Sequence, residues 1–145
     1  MVSQKKMDKK VIDNGNKLIA YTGNWQHGLK TDSITNSRSD DKNASASITF
    51  KGKQIGFYSL VLPNNGYASV MLYNKKGEII LKNIIDLYAK VPASTLVYLS
   101  PVLPKGEYKL TLSTMGERPN WTDKSKTAYG STGNFISLDK VIINE

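Results

Sequence analysis

The sequence predicts an all-β fold, a two-sheet antiparallel β-sandwich with jelly-roll or Greek-key wiring, and three observations carry that reading. Residues 44–50, Ala-Ser-Ala-Ser-Ile-Thr-Phe, alternate without a fault, so Ala44, Ala46, Ile48 and Phe50 share one face while Ser45, Ser47 and Thr49 share the other. Runs of the same kind recur along the chain between Gly, Pro and Asn turns. No stretch longer than about a turn shows helical spacing of its apolar residues.

The elements follow in order. Residues 11–14 and 18–22 are short apolar runs parted by Asn-Gly-Asn. Residues 44–50 give the first clear strand. Residues 54–61, 78–88 and 96–100 are rich in Ile, Val, Leu and Tyr and are bounded by turn formers. In residues 67–73, Ala68, Val70 and Leu72 repeat the period of two, and Tyr108, Leu110 and Leu112 repeat it after the Pro104-Lys-Gly turn. The last strand slips phase: Ile136 and Leu138 share a face, yet Val141 and Ile143 continue on the other, which predicts a bulge near Asp139 and Lys140. Two connections, residues 23–43 and 115–133, are predicted as long loops, and loops of that length are more often functional than idle.

The bulk figures bound the function classes. A chain of 145 residues with 39% hydrophobic residues buries one core without staples, and there is no cysteine. The expected organisation is a flexible Lys-rich arm over residues 1–10 and a β-sandwich over 11–145. Residues 1–10 lack the apolar centre of a signal peptide, and no run is long and apolar enough for a membrane span. The net charge of +8 invites a polyanion, yet 18 of the 20 basic residues are Lys and they are dispersed, so nucleic acid is not the expected partner.

Catalysis is hard to build from these residues. His27 is the single histidine, no Gly-x-Ser-x-Gly elbow accompanies it, and zinc lacks its His or Cys ligands. Asp40 and Asp41 are the adjacent acidic pair, in a Ser- and Asn-rich stretch that reads as solvated. A structural calcium is the one cofactor the acids allow, through Asp13 and Asp139 if the terminal strands pair.

The aromatics point to binding. A sugar ring presents a C–H face to an aromatic plate and hydroxyls to nearby polar side chains. Trp25 and Trp121, each expected on a long loop, are candidate plates. His27, Arg38, Asn64, Asn65, Arg118, Asn120 and Tyr129 are the accompanying polar groups, with Tyr88 at the start of a loop. The competing reading folds each Trp inward as a cap on the sandwich.

The order of Tyr21-Thr-Gly-Asn-Trp25, the 44–50 strand, Gly52-Lys-Gln-Ile-Gly-Phe-Tyr58, Gly66-Tyr-Ala-Ser-Val-Met-Leu-Tyr73, Leu103-Pro-Lys-Gly-Glu-Tyr-Lys-Leu-Thr-Leu112 and Ile136-Ser-Leu-Asp-Lys-Val141 resembles the galactose-binding-domain-like jelly-roll modules. These are attached to bacterial glycoside hydrolases, esterases and some phage tail proteins. The resemblance spans residues 11–144. It implies a jelly roll and a non-catalytic carbohydrate-binding module for a polysaccharide or cell-wall glycan, its binding end formed by the loops of Trp25, Arg38, Asn64 and Trp121. The Lys-rich hairpins admit an anionic glycan. It implies work outside the cell, at a cell surface or on a virion. The alternatives are a self-associating structural domain of a tail or surface protein, and an accessory domain packed on a hydrolase.

Overall fold

The faultless alternation of residues 44–50 becomes the second strand of a five-stranded antiparallel sheet, ordered β2 (Ile19–Thr22), β5 (Ser45–Gly52), β10 (Gly106–Thr114), β7 (Tyr67–Asn74) and β8 (Ile79–Asp86). The computed structural model describes residues 9–31, 34–122 and 128–145. Because side chains alternate, the registers align apolar rows across the sheet. Ile19 faces Ile48, Ile48 faces Leu110, Leu110 faces Leu72 and Leu72 faces Leu81, one row crossing all five strands.

A four-stranded sheet covers that row, ordered β1 (Lys9–Asp13), β14 (Lys140–Asn144), β6 (Gln54–Val61) and β9 (Ala93–Leu99). It supplies Ile12, Ile143, Val141, Ile55, Phe57 and Tyr98 to the shared core. Burying each such side chain is worth about 1.5–3 kcal/mol, which is what holds the two layers together. Two smaller sheets lie outside this pair: β13 (Ile136–Leu138), β4 (Ile34–Ser39) and β3 (Gln26–Thr31), and the hairpin of β11 (Asn120–Thr122) with β12 (Ala128–Gly130). All fourteen elements among the described residues are strands, so the fold is the expected antiparallel β-sandwich.

Four expectations are corrected. The stretch 23–43 contains two paired antiparallel strands, β3 and β4, so His27 and Arg38 stand on strands and not on an open loop. Its signal was invisible because the buried residues of β4 are polar: the Asn36 amide N–H and the Ser37 and Ser39 hydroxyls are held by hydrogen bonds in place of apolar packing. The stretch 115–133 contains the hairpin of β11 and β12, with Trp121 directly opposite Tyr129 in the ladder. The strand β1 begins at Lys9, inside the arm expected over 1–10; residues 1–8 lie outside the described residues. Finally, the phase slip near Asp139 is a change of sheet. β13 pairs with β4 whereas β14 pairs with β6, and Asp139 between them donates its N–H to the Tyr58 carbonyl at 2.9 Å.

That crossing is held by Asn14, which is 2% exposed. Its side-chain amide donates to the carbonyls of Asp139 (2.8 Å) and Thr35 (3.0 Å), and its side-chain oxygen accepts from Ser37 Oγ at 2.8 Å. One residue after β1 therefore ties β4 to the point where the chain leaves β13 for β14. Asn14→Ala removes three side-chain hydrogen bonds, although the Asp139 carbonyl keeps the Asn14 N–H and Ser37 keeps His27, and is expected to cost roughly 1–3 kcal/mol of unfolding free energy in urea titrations. A loss under about half a kcal/mol would show that the crossing does not depend on it.

Candidate ligand-binding end

Four connections meet at one end of the sandwich, and backbone hydrogen bonds fasten them together. The Gly66 N–H donates to the Phe135 carbonyl (2.7 Å), and the Phe135 N–H to the Asn64 carbonyl (3.1 Å). The Tyr67 N–H donates to Glu117 (2.9 Å), the Leu87 N–H to Gly66 (3.2 Å), the Ala89 N–H to Leu62 (3.2 Å), the Thr132 N–H to Pro63 (3.0 Å) and the Ser131 N–H to Pro119 (2.8 Å). Residues 62–66, 87–89, 117–119 and 131–135 thus form one stitched surface. Gly66 is required there, since a Cβ at this position would collide with the Glu117 carbonyl and stand 3.0 Å from the Asn134 Cα.

This surface brings together Asn64, Tyr88 and Arg118 from the expected set. Asn64 and Tyr88 are half-buried, while Arg118 and its neighbour Asn120 are exposed. Asn65 is corrected: it is fully buried, and its amide donates to the Leu60 carbonyl at 2.8 Å, so it builds the turn and faces no ligand. The side chains of Trp121 and Tyr129 lie outside the described residues.

Arg38 enters the same end from below. Its guanidinium carbon lies 3.7 Å over the Phe135 ring, a cation–π contact, and burial pulls its pKa below the ordinary value against the opposing pull of Asp40. The Arg38 Nε and the side-chain oxygens of Asn65 and Asn134 are buried without hydrogen-bond partners, so polar capacity is left over beneath the surface. Phe135, Asn134 and Ser131 were missed by sequence reasoning. They fall in a stretch with no periodicity, and only their tertiary partners give them a role.

Trp25 and His27 form a separate group. Tyr21 stands edge-on to both rings, 4.9 Å from Trp25 and 4.6 Å from His27. The Trp25 indole N–H donates to the Thr22 carbonyl at 2.9 Å, and the ring packs half-buried on the core, so Trp25 caps the sandwich more than it projects as a plate. His27 Nδ1 is 2.8 Å from Ser37 Oγ. Alternation along β4 puts Ser37 and Arg38 on opposite faces, which separates the Trp25 and His27 group from Arg38.

The acids are likewise committed. β1 and β14 do pair, with Asp13 opposite Lys140, but the carboxylate of Asp13 accepts from the Gly15 N–H (3.2 Å) and that of Asp139 from Ser94 Oγ (2.5 Å). No group of three His, Asp or Glu gathers among the described residues. Asp41 accepts the N–H groups of Asn24 (2.9 Å) and Asn43 (3.3 Å), which hold its carboxyl below the usual range, the opposite of a proton donor poised for hydrolysis.

No family model matches the chain, and no curated protein sequence does. Solved structures match in fold. A two-domain esterase active on acetylated mannans, co-crystallised with mannopentaose, matches with a TM-score of 0.60 at 12% identity, over 95% of this chain and 36% of that one. A family two carbohydrate esterase from Cellvibrio japonicus matches at 0.59 and 12% identity, over 94% of this chain and 33% of that one. The CBM36-1 domain of a multidomain xylanase from the hindgut metagenome of Trinervitermes trinervoides matches at 0.52 and 14% identity, over 95% of this chain and 98% of that one. The chain therefore spans about a third of each esterase and nearly the whole of the xylanase domain. At these identities the likeness establishes the fold: the chain is a jelly-roll β-sandwich like that carbohydrate-binding domain.

The Tyr21 hydroxyl donates to the Asn14 carbonyl, and burial pushes its pKa up to about 12, with the Ser37 hydroxyl opposing and Asp13 adding a smaller push. Tyr98 is raised by burial as well. A folded-state pKa above the unfolded value of about 10 means the folded state holds the proton more tightly. This stability is complete below pH 10 and is lost as pH rises toward 12. Urea midpoints should fall over that window, and Tyr21→Phe should flatten the fall; an unchanged slope would mean that Tyr21 titrates like a free tyrosine.

Proposed function

We propose that this chain is a non-catalytic carbohydrate-binding module that recognises an extended, anionic cell-surface polysaccharide at the stitched loop end. The observation that carries the reading is the convergence of residues 62–66, 87–89, 117–119 and 131–135 into one backbone-bonded surface presenting Asn64, Tyr88, Arg118 and Asn120. A rigid surface loses little entropy on binding, and amide, phenol and guanidinium groups suit hydroxyls and carboxylates or phosphates. The fold shared with the xylanase's CBM36-1 domain over nearly its whole length supports binding over catalysis. The Ser37 hydroxyl donates its one proton to Asn14 Oδ1 and is fully buried, so His27 Nδ1 donates to Ser37 and does not act as its base. The net charge of +8 favours the anionic class. The site of action would be extracellular, at a cell surface or on a virion.

A second reading, an accessory domain beside a hydrolase, is favoured by the match to only about a third of each esterase. Titration calorimetry with neutral and anionic polysaccharides, at low and high salt, separates the two. Binding in the micromolar to millimolar range that weakens with salt is expected. Arg118→Ala should weaken it about tenfold or more with the melting temperature unchanged, as for an exposed contact to a ligand, and Trp121→Ala should weaken it by as much. Asn65→Ala should instead lower the melting temperature. Absence of binding to any polysaccharide would favour the accessory reading. Repeating the titration and the melt with calcium and with EDTA tests Asp13 and Asp139: identical curves would exclude a cation there.

A further inference from the structure

The two sheets end on the same side in their longest uncovered strands. β8 is the edge of the five-stranded sheet and β9 the edge of the four-stranded one, and a groove of about 380 Å³ runs between them, lined by Leu81, Ile84, Ile85, Val97, Leu99 and Pro101 among others. Exposed large hydrophobic side chains gather here: Ile79 at 54%, Ile80 at 38% and Ile84 at 60% on β8, with Leu96 and Leu99 on β9. An apolar patch of this kind beside the outward N–H and C=O groups that alternate residues of an eight-residue edge strand leave unpaired is a template for another strand.

The sequence of β8 specifies which strand. Leu81 and Ile85 pack inward on the core, so alternation turns Ile80, Lys82, Ile84 and Asp86 to the outer face. Laid antiparallel against a second copy of itself about a two-fold axis at Ile84, β8 places Lys82 opposite Asp86 of the other copy, twice, and Ile84 against its own mate. No other two-fold register sets both charges against their opposites. The Asp86 carboxylate uses Oδ1 to accept the Tyr88 N–H at 2.9 Å, which leaves Oδ2 for the partner lysine.

We propose that this chain forms a two-fold dimer through antiparallel β8 to β8 pairing centred on Ile84, extending the five-stranded sheet across both copies. The pairing is self-complementary and closes, since it uses the β8 edge of both copies and leaves none to propagate a fibre. A Lys in the middle of an edge strand blocks indiscriminate pairing, and here the register answers it with an acid. The proposal is independent of the ligand assigned to the loop end.

Sedimentation equilibrium of the intact chain over a concentration series tests it. A reversible monomer–dimer equilibrium is expected. Ile84→Lys sets two like charges on the axis and should weaken dimerisation about tenfold or more, with the melting temperature of the monomer unchanged because the side chain is exposed. Val11→Lys, on the opposite edge, should leave the equilibrium as it was. Lys82→Glu and Asp86→Lys should each weaken the dimer, and the two together should restore it. This arm keeps the proposal falsifiable should Ile84→Lys fold poorly. A monomer at every concentration, a dimer indifferent to Ile84→Lys, or a double variant that fails to recover would overturn the proposal; the first outcome would leave the edge to a different domain.

Discussion

The change of sheet at Asp139 is the constraint on which the rest of the structure depends. A sandwich needs at least one strand to move between layers, and at that point the backbone leaves one ladder before it has entered the next. Here the two groups freed at Asp139 are taken by Tyr58 on one side and Asn14 on the other. Asn14 then reaches Thr35 and Ser37, so the outer β3–β4 hairpin is positioned by the same amide. The Tyr21 hydroxyl closes on the Asn14 carbonyl. The aromatic group of Tyr21, Trp25 and His27 is therefore fixed relative to the crossing, although it lies far from it in sequence.

The strands with apolar alternation were legible because burial on one face writes a period of two into the chain, and the other apolar runs because turn formers bound them. Residues 44–50 are the clearest case, since Ala46, Ile48 and Phe50 are buried in β5 while the residues between them are not. The hairpin of β3 and β4 was not legible, because its buried side chains are Asn and Ser and their stabilisation comes from hydrogen bonds to partners 7 to 23 residues away. The phase slip at Asp139 was visible but ambiguous: a bulge and a change of sheet both reverse the faces, and the choice depends on which strands lie alongside. At the site, Arg118 and Asn64 were readable as polar residues in turn-rich sequence. That Asn65 faces inward was not, since turn composition alone does not say which of two adjacent amides closes the turn.

The residues of the loop end divide by what their polar atoms do. Asn65, Gly66, Phe135 and Ser131 spend their hydrogen-bonding or steric capacity on neighbouring loops, so their replacement would disturb the surface itself. Arg38 belongs with them. A guanidinium seated on Phe135 and partly stripped of water is a support for residues 131–135 more than a contact for solvent-borne ligand.

Arg118 and Asn120 are the opposite case, exposed and carried by a backbone that is itself bonded through Glu117 and Pro119. This separation has a physical consequence. The stitched backbone resists deformation whatever stands at positions 118 and 120, so those side chains are free to vary in charge and shape without loss of the fold. The unpartnered oxygens of Asn65 and Asn134 and the Arg38 Nε lie just beneath, where a desolvated donor or acceptor interacts more strongly than at the surface. These groups therefore belong to the support of the surface, whereas the side chains at its rim meet solvent and are screened by it.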